Sequence, residues 1–156
     1  IYLLCLMLKL ISLLLLCFSI SSIQKTDSTV SSQKGILKID LSNIRNNDGY
    51  IYIFIYQYKN QFPYHPYKHY KVNKSKVKNG VLTAQILNLA FKRNYAISLI
   101  DDENNNKDLD RWLGIPNEGY GFSNNVKPFL SMPEFNKLLF DFKQSKNTQI
   151  KLQYVL

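Results

Sequence analysis

Ile51-Tyr52-Ile53-Phe54-Ile55-Tyr56 alternates β-branched and aromatic side chains, and no polar residue interrupts it. Alternation at every second residue is the signature of a strand whose two faces meet different surroundings. Both faces here are apolar, so the stretch reads as a central strand with the core on one side and Tyr rings or a loop on the other. The same period extends outward in both directions. Ile39 and Leu41 alternate with Lys38, Asp40 and Ser42, and Val81 to Leu89, Tyr95 to Ile100 and Ile150 to Val155 repeat the pattern. Turn chemistry separates these runs: Asn46-Asn47-Asp48-Gly49 reads as a hairpin turn between the first two, and Asn79-Gly80 precedes the third. Helical periodicity is scarce. One short helical turn is expected at 131–138, with Ser131 as cap and Pro133 in the first turn, leading into a strand at Leu139 to Phe142. About seven short strands in this length predict an all-β antiparallel sandwich of immunoglobulin or transthyretin type over 35–156, with a barrel as the alternative.

The chain has 156 residues, 46% of them hydrophobic, which suits one compact domain. Only 6 Gly and 5 Pro exclude collagen and low-complexity architectures. Its opening run, Ile1 to Ile20, is apolar apart from Lys9, Ser12 and Ser19, with small residues at Ser19 and Ser21. That is the form of a secretory signal helix, and 1–22 is read as a signal peptide, with an uncleaved membrane anchor as the alternative. A polar linker over 23–34 follows, and the remainder is expected to be secreted, periplasmic or in the cell envelope. Both cysteines, Cys5 and Cys17, lie in the leader. A mature chain therefore offers no disulfide, thiol nucleophile or zinc–thiolate site.

The formal charge is +9, yet only Arg45, Arg93 and Arg111 carry guanidinium groups. Base and phosphate clamping favours the bidentate Arg fork, so no nucleic-acid partner is expected. Lys59 to Lys78 holds six Lys and no acid, with Tyr64, Tyr67 and Tyr70 interleaved with His65 and His69. Tyr faces beside cations could stack on sugars and neutralise an anionic polysaccharide. The plainer reading is a solvated crossover and an edge strand guarded by Lys. Pro66 separates the two histidines and argues against a metal pair on one helix face. No Ser sits in a nucleophile-elbow setting, and the chain is read as a non-catalytic binding or structural module without a resident cofactor.

Acidic residues concentrate at Asp101, Asp102, Glu103, Asp108 and Asp110, in the run DDENNNKDLD. Counting from Asp102, oxygen-bearing side chains fall at Asp102, Asn104, Asn106 and Asp110, positions 1, 3, 5 and 9 of an EF-hand-like loop. Asp108 would then contribute a backbone oxygen, and Glu118 could complete the sphere from outside. Weak calcium binding is the functional reading. A loop of Asx turns is the plain one. Lys107 stands where a calcium loop needs Gly, and Leu113 stands where it needs a bidentate Glu.

Leu113-Gly-Ile-Pro-Asn-Glu-Gly-Tyr-Gly-Phe-Ser-Asn-Asn125 follows the acidic run, and together with it closely resembles the bacterial domain-of-unknown-function family 2141. Phe62-Pro63-Tyr64-His65-Pro66 and Met132-Pro133-Glu134-Phe135 are similar to two further elements of that family. The resemblance implies small secreted or periplasmic proteins of immunoglobulin-like or prealbumin-like architecture, and no particular activity. Asp101 stands where the family usually has His, and Asn105 and Lys107 replace its loop glycines. In GYGFSNN the glycines permit unusual dihedrals while Tyr120 and Phe122 bury rings. Glu118, Tyr120, Phe122, Ser123, Asn124 and Asn125 are the candidate recognition residues, expected at one rim with the acidic loop and facing an envelope protein or glycan; the plainer reading is a structural plug over one end of the sandwich.

Overall fold

The structure is a computed structural model that describes residues 33–128, 131–143 and 147–155. The leader and most of the linker lie outside these residues. Lys34, placed last in the linker, instead opens the first strand. Among the described residues the elements are β1 (Lys34–Ser42), β2 (Tyr50–Tyr56), β3 (Lys68–Asn73), β4 (Leu82–Ala90), β5 (Arg93–Asp102), β6 (Arg111–Trp112), β7 (Ile115–Pro116), β8 (Gly119–Phe122), a one-turn helix α1 (Phe135–Leu138), β9 (Phe140–Phe142) and β10 (Asn147–Lys151). No described helix is long and apolar enough to cross a membrane.

Two sheets face each other. One has the order β10-β1-β4; the other has the order β3-β2-β5-β8, with β9 pairing the start of β5. The all-β, sandwich-like expectation holds, with one departure: β1 and β10 pair in parallel, Leu41 beside Ile150. Every other strand pair is antiparallel. Alternation explains the core. Leu37, Ile39 and Leu41 of β1 and Ala84 and Ile86 of β4 meet Ile51, Ile53 and Ile55 of β2 and Tyr95, Ile97 and Leu99 of β5. The opposite face of β2 carries Phe54 and Tyr56, which join Ala96, Phe122, Phe135 and Leu138 in a second cluster under α1. Burying one such side chain contributes about 1.5–3 kcal/mol.

One turn expectation needs correction. Asn46 to Gly49 does not close a hairpin, because β1 and β2 lie in different sheets; it carries the chain across the sandwich. The Asp48 amide bonds Asn46 Oδ1 at 3.0 Å in an Asx turn. Gly49 sits at φ 71°, where a Cβ would fall 1.9 Å from the Asp102 carbonyl oxygen. The true two-residue turn is Asn79-Gly80, at φ 51° and 72°, between bridged Lys78 and Val81. The helix also starts later than expected: Glu134, not Ser131, occupies the cap position, and its side chain makes no cap hydrogen bond.

Candidate functional site

Strand β5 ends in two aspartates, and the pleat sends them to opposite faces. Asp101 continues the inward series Tyr95, Ile97, Leu99 and is fully buried. Its carboxylate meets Lys74 Nζ at 2.6 Å, with both side chains sealed from water, and accepts the Tyr154 hydroxyl. Lys74 also donates to Asn46 Oδ1 at 2.7 Å. Burial raises the Asp101 carboxyl above its usual range despite Lys74 and Tyr154, which pull it down. The Tyr154 hydroxyl is raised as well, by burial and then by Asp101. Over the Tyr154 ring lies the Arg45 guanidinium, 4.7 Å from its centroid. Arg45 grips Glu103 bidentately, with both contacts at 2.7 Å, and donates to the Asn117 carbonyl at 2.9 Å. Partial burial would raise Glu103, but Arg45 outweighs it and holds the carboxyl low.

Asp102 points to the other face and organises the loop. Its two oxygens accept the Asn106 amide at 3.1 Å and the Lys107 amide at 2.9 Å. Asn104 Oδ1 accepts the same Asn106 amide at 3.0 Å, so oxygens of two expected ligands meet on one N–H. Asn106 Oδ1 in turn accepts the Asp108 amide at 2.9 Å, and Asp108 Oδ1 accepts that of Leu109 at 2.8 Å. The amide nitrogens of Asn104 and Asn106 donate to the two oxygens of Asp110 at 2.6 and 2.7 Å. The expected ligand set is thus brought together as a ladder of Asx turns. Asn105 and Lys107 adopt φ 61° and 71°, the left-handed conformation that glycine takes most easily. Glu118 is buried and ties the loop's ends, accepting the Glu103 amide at 2.8 Å and the Asp110 amide at 3.1 Å; its burial raises its carboxyl. Among the described residues no three His, Cys, Asp or Glu side chains form a metal cluster. A cation here would depend on the carboxamide oxygens of Asn104 and Asn106.

The candidate recognition residues do not share one rim. Gly119 to Phe122 pair with β5 as strand β8, Gly119 beside Asp101 and Phe122 beside Ser98. That strand carries the chain about 13 Å from the acidic loop at strand rise. Only Glu118 stays with the loop. Ser123 is buried at the far end, where its hydroxyl accepts the Ile97 amide at 2.9 Å and donates to the Leu138 carbonyl at 2.6 Å. Asn124 donates to the carbonyls of Lys137 and Leu139, at 2.9 and 3.0 Å, closing the end of α1. Asn125 accepts the Lys151 amide at 2.7 Å and donates to the Gln149 carbonyl at 3.4 Å, acting as a partner for the edge of β10. Tyr120 and Phe122 are half-buried and buried, their rings in an edge contact.

Within the basic segment Tyr64 and Tyr67 are exposed, whereas Tyr70 packs against the main core and donates to the Leu87 carbonyl at 3.1 Å. His65 and His69 are exposed. Lys68 donates to the carbonyls of Leu87 and Asn88, at 3.3 and 3.1 Å, guarding the β4 edge. Lys71 lies 3.7 Å from the Tyr50 ring centroid and bonds Asn105 Oδ1 at 2.9 Å, linking this segment to the acidic loop. The motif reading missed Arg45, Lys74 and Tyr154. Each comes from a distant segment, and no local pattern marks it.

These features define a small all-β scaffold whose loop at one end is ordered by its own carboxylates and carboxamides. The chain matches, over residues 39–151, the family model described as an uncharacterized protein conserved in bacteria (DUF2141), and belongs to that family. No curated protein and no solved structure matches it.

Proposed function

We propose that the chain is a non-catalytic binding or structural module working outside the cytoplasm, with the 102–118 loop as its functional end. The supporting observation is that Asp102, Asn104, Asn106 and Glu118 all bond backbone amides of the loop itself. Side chains used in this way shape a surface and leave acid–base work to others. The extracytoplasmic placement rests on the apolar run Ile1 to Ile20, read as a leader. A second reading, weak calcium uptake by the same loop, is favoured by the meeting of Asp102 Oδ1 and Asn104 Oδ1 on a single N–H. That partial positive charge stands where a cation's would. Two carboxylates and two carboxamides place any affinity at the weak, extracellular end of the calcium range.

Hydrogen exchange at the Asn106 and Lys107 amides, with calcium and with chelator, tests both readings. Protection in chelator is expected from a loop ordered by its own side chains; free exchange there overturns the pre-shaped module. Calcium at tenfold its dissociation constant should add about 1.4 kcal/mol, raising Tm by several degrees and slowing both amides further. If calcium changes neither, the cation reading falls and the module reading stands alone.

A further inference from the structure

Two ion pairs sit at the root of the acidic loop, and they are built differently. Arg45 and Glu103 are partly exposed and meet through two hydrogen bonds at 2.7 Å, the bidentate form that a guanidinium and a carboxylate adopt. Lys74 and Asp101 are sealed from water, each side chain at 0% exposure, and lie closer still, at 2.6 Å. Yet Asp101 Oδ1, the oxygen that Lys74 Nζ touches, accepts no hydrogen bond. The nitrogen is pressed against the carboxyl group without the alignment of a shared proton. Both partners are held in place: Nζ donates to Asn46 Oδ1 at 2.7 Å, and the Tyr154 hydroxyl donates to Asp101 Oδ2. Asp101 is fixed by its strand as well, paired with Ile51 on one side and Gly119 on the other. A buried ion pair adds little stability over apolar residues of the same size, so stability alone gives no reason for this one.

We infer that Lys74 and Asp101 join covalently, the lysine amine and the aspartate carboxyl condensing to an amide inside the folded core. The fold holds nucleophile against electrophile, which turns a bimolecular condensation into a unimolecular one. Moving one ammonium proton to Oδ1 leaves a neutral amine beside a neutral acid, and a site without water favours that over two charges. The Nζ lone pair then attacks Cγ, and the π pair of Cγ–Oδ2 moves onto Oδ2, where the Tyr154 hydroxyl already donates and steadies the developing charge. A second Nζ proton passes to Oδ1, the Cγ–Oδ1 bond breaks, and Oδ1 leaves as water while the Cγ–Oδ2 double bond re-forms. The third proton stays on the amide nitrogen, facing Asn46 Oδ1. Nothing is oxidised or reduced, and no co-reactant is needed. The product carries no buried charge. It ties the residue after β3 to β5 across β2, which lies between them in the sheet, and fixes the acidic loop at its first residue. The step happens once in each chain, as maturation and not turnover.

The test is a tryptic digest of the full chain, denatured after it has shown a cooperative melt, read by tandem mass spectrometry. Trypsin does not cut after an acylated lysine, so residues 72–76 and 94–107 should emerge as one branched peptide, lighter by one water than the two together. Fragment ions should place the link at Lys74 and Asp101. Lys74→Arg keeps the positive charge but lacks the amine, and should yield only linear peptides. Tyr154→Phe removes the donor at Oδ2 and should leave about tenfold more chain unlinked at harvest. Cleavage after Lys74 with a linear 94–107 peptide from the folded wild-type chain overturns the proposal, and so does loss of water within that peptide alone, as from a cyclised Asp101. A link at Asp101 that survives Lys74→Arg overturns it equally.

Discussion

Asp101 and Asp102 are neighbours with opposite duties, and the difference follows from the pleat of β5. Asp102 lies on the opposite face, buried beneath the loop it organises, and bonds two loop amides. Asp101 faces the core, where an unpaired carboxylate would be untenable, and Lys74 answers it from 27 positions away in sequence at 2.6 Å. The run DDENNNKDLD announced a polar loop, and its Asx ladder was legible from the spacing of Asn and Asp. The buried pair was not, because Lys74 sits in a lysine-rich stretch where nothing local distinguishes it from its solvated neighbours. Lys74→Met should cost about 3–5 kcal/mol at neutral pH, since it leaves the Asp101 charge buried without its partner. The sign with pH follows from burial. Asp101 already titrates above its usual 3.8 in the fold, and losing Lys74 raises it further. A group raised in the folded state contributes stability below its unfolded value and loses it as pH rises through the folded value. The penalty of Lys74→Met should therefore shrink as pH falls toward 4, measured by urea denaturation at both pH values. An equal penalty at both would mean that Asp101 is not the group left stranded.

At the scale of elements, β8 and the residues after it show how a segment reads as loop and folds as strand. Gly119 and Gly121 read in the sequence as allowing unusual dihedrals, but neither takes a positive φ, and each stands where another side chain approaches closely; a Cβ on Gly119 would lie 2.5 Å from the Tyr154 ring. Glycine here lets an edge strand pass beneath an aromatic ring, a constraint visible only once β10 and its extension are placed. Ser123, Asn124 and Asn125 then satisfy backbone groups that secondary structure leaves open, at β5, α1 and β10 in turn. Polar residues in a row resemble a recognition loop whether they face water or backbone, so the sequence could not separate the two. Ser123→Ala would strip the buried Ile97 amide and Leu138 carbonyl of their shared partner. A loss of about 1–3 kcal/mol is expected in urea denaturation. A change within a few tenths of a kcal/mol would show that the hydroxyl is dispensable there.

For the whole molecule, the decisive contact is the parallel pairing of β1 with β10, which joins the two ends of the described domain within one sheet. Alternation found β1 but placed the last strand at Ile150 to Val155, where the structure has β10 at Asn147–Lys151, and it carries no information on partners, which is why Asn46 to Gly49 read as a hairpin when it is a crossing between sheets. Contacts this distant in sequence form only after the intervening chain is ordered, so the sandwich should open as one unit. Ile150 is the place to test this. It is fully buried in β10, within the core shared by both sheets, and its Cγ2 lies against Gly121 of β8. Ile150→Ala should cost about 2–5 kcal/mol through lost burial and the cavity left behind. Because the core is shared, the loss should appear equally in the exchange rates of β1 amides and of β2 and β5 amides in the facing sheet. Wild-type protection in β2 and β5 beside an opened β1 would show two separately stable sheets, and the single cooperative sandwich would be the wrong description.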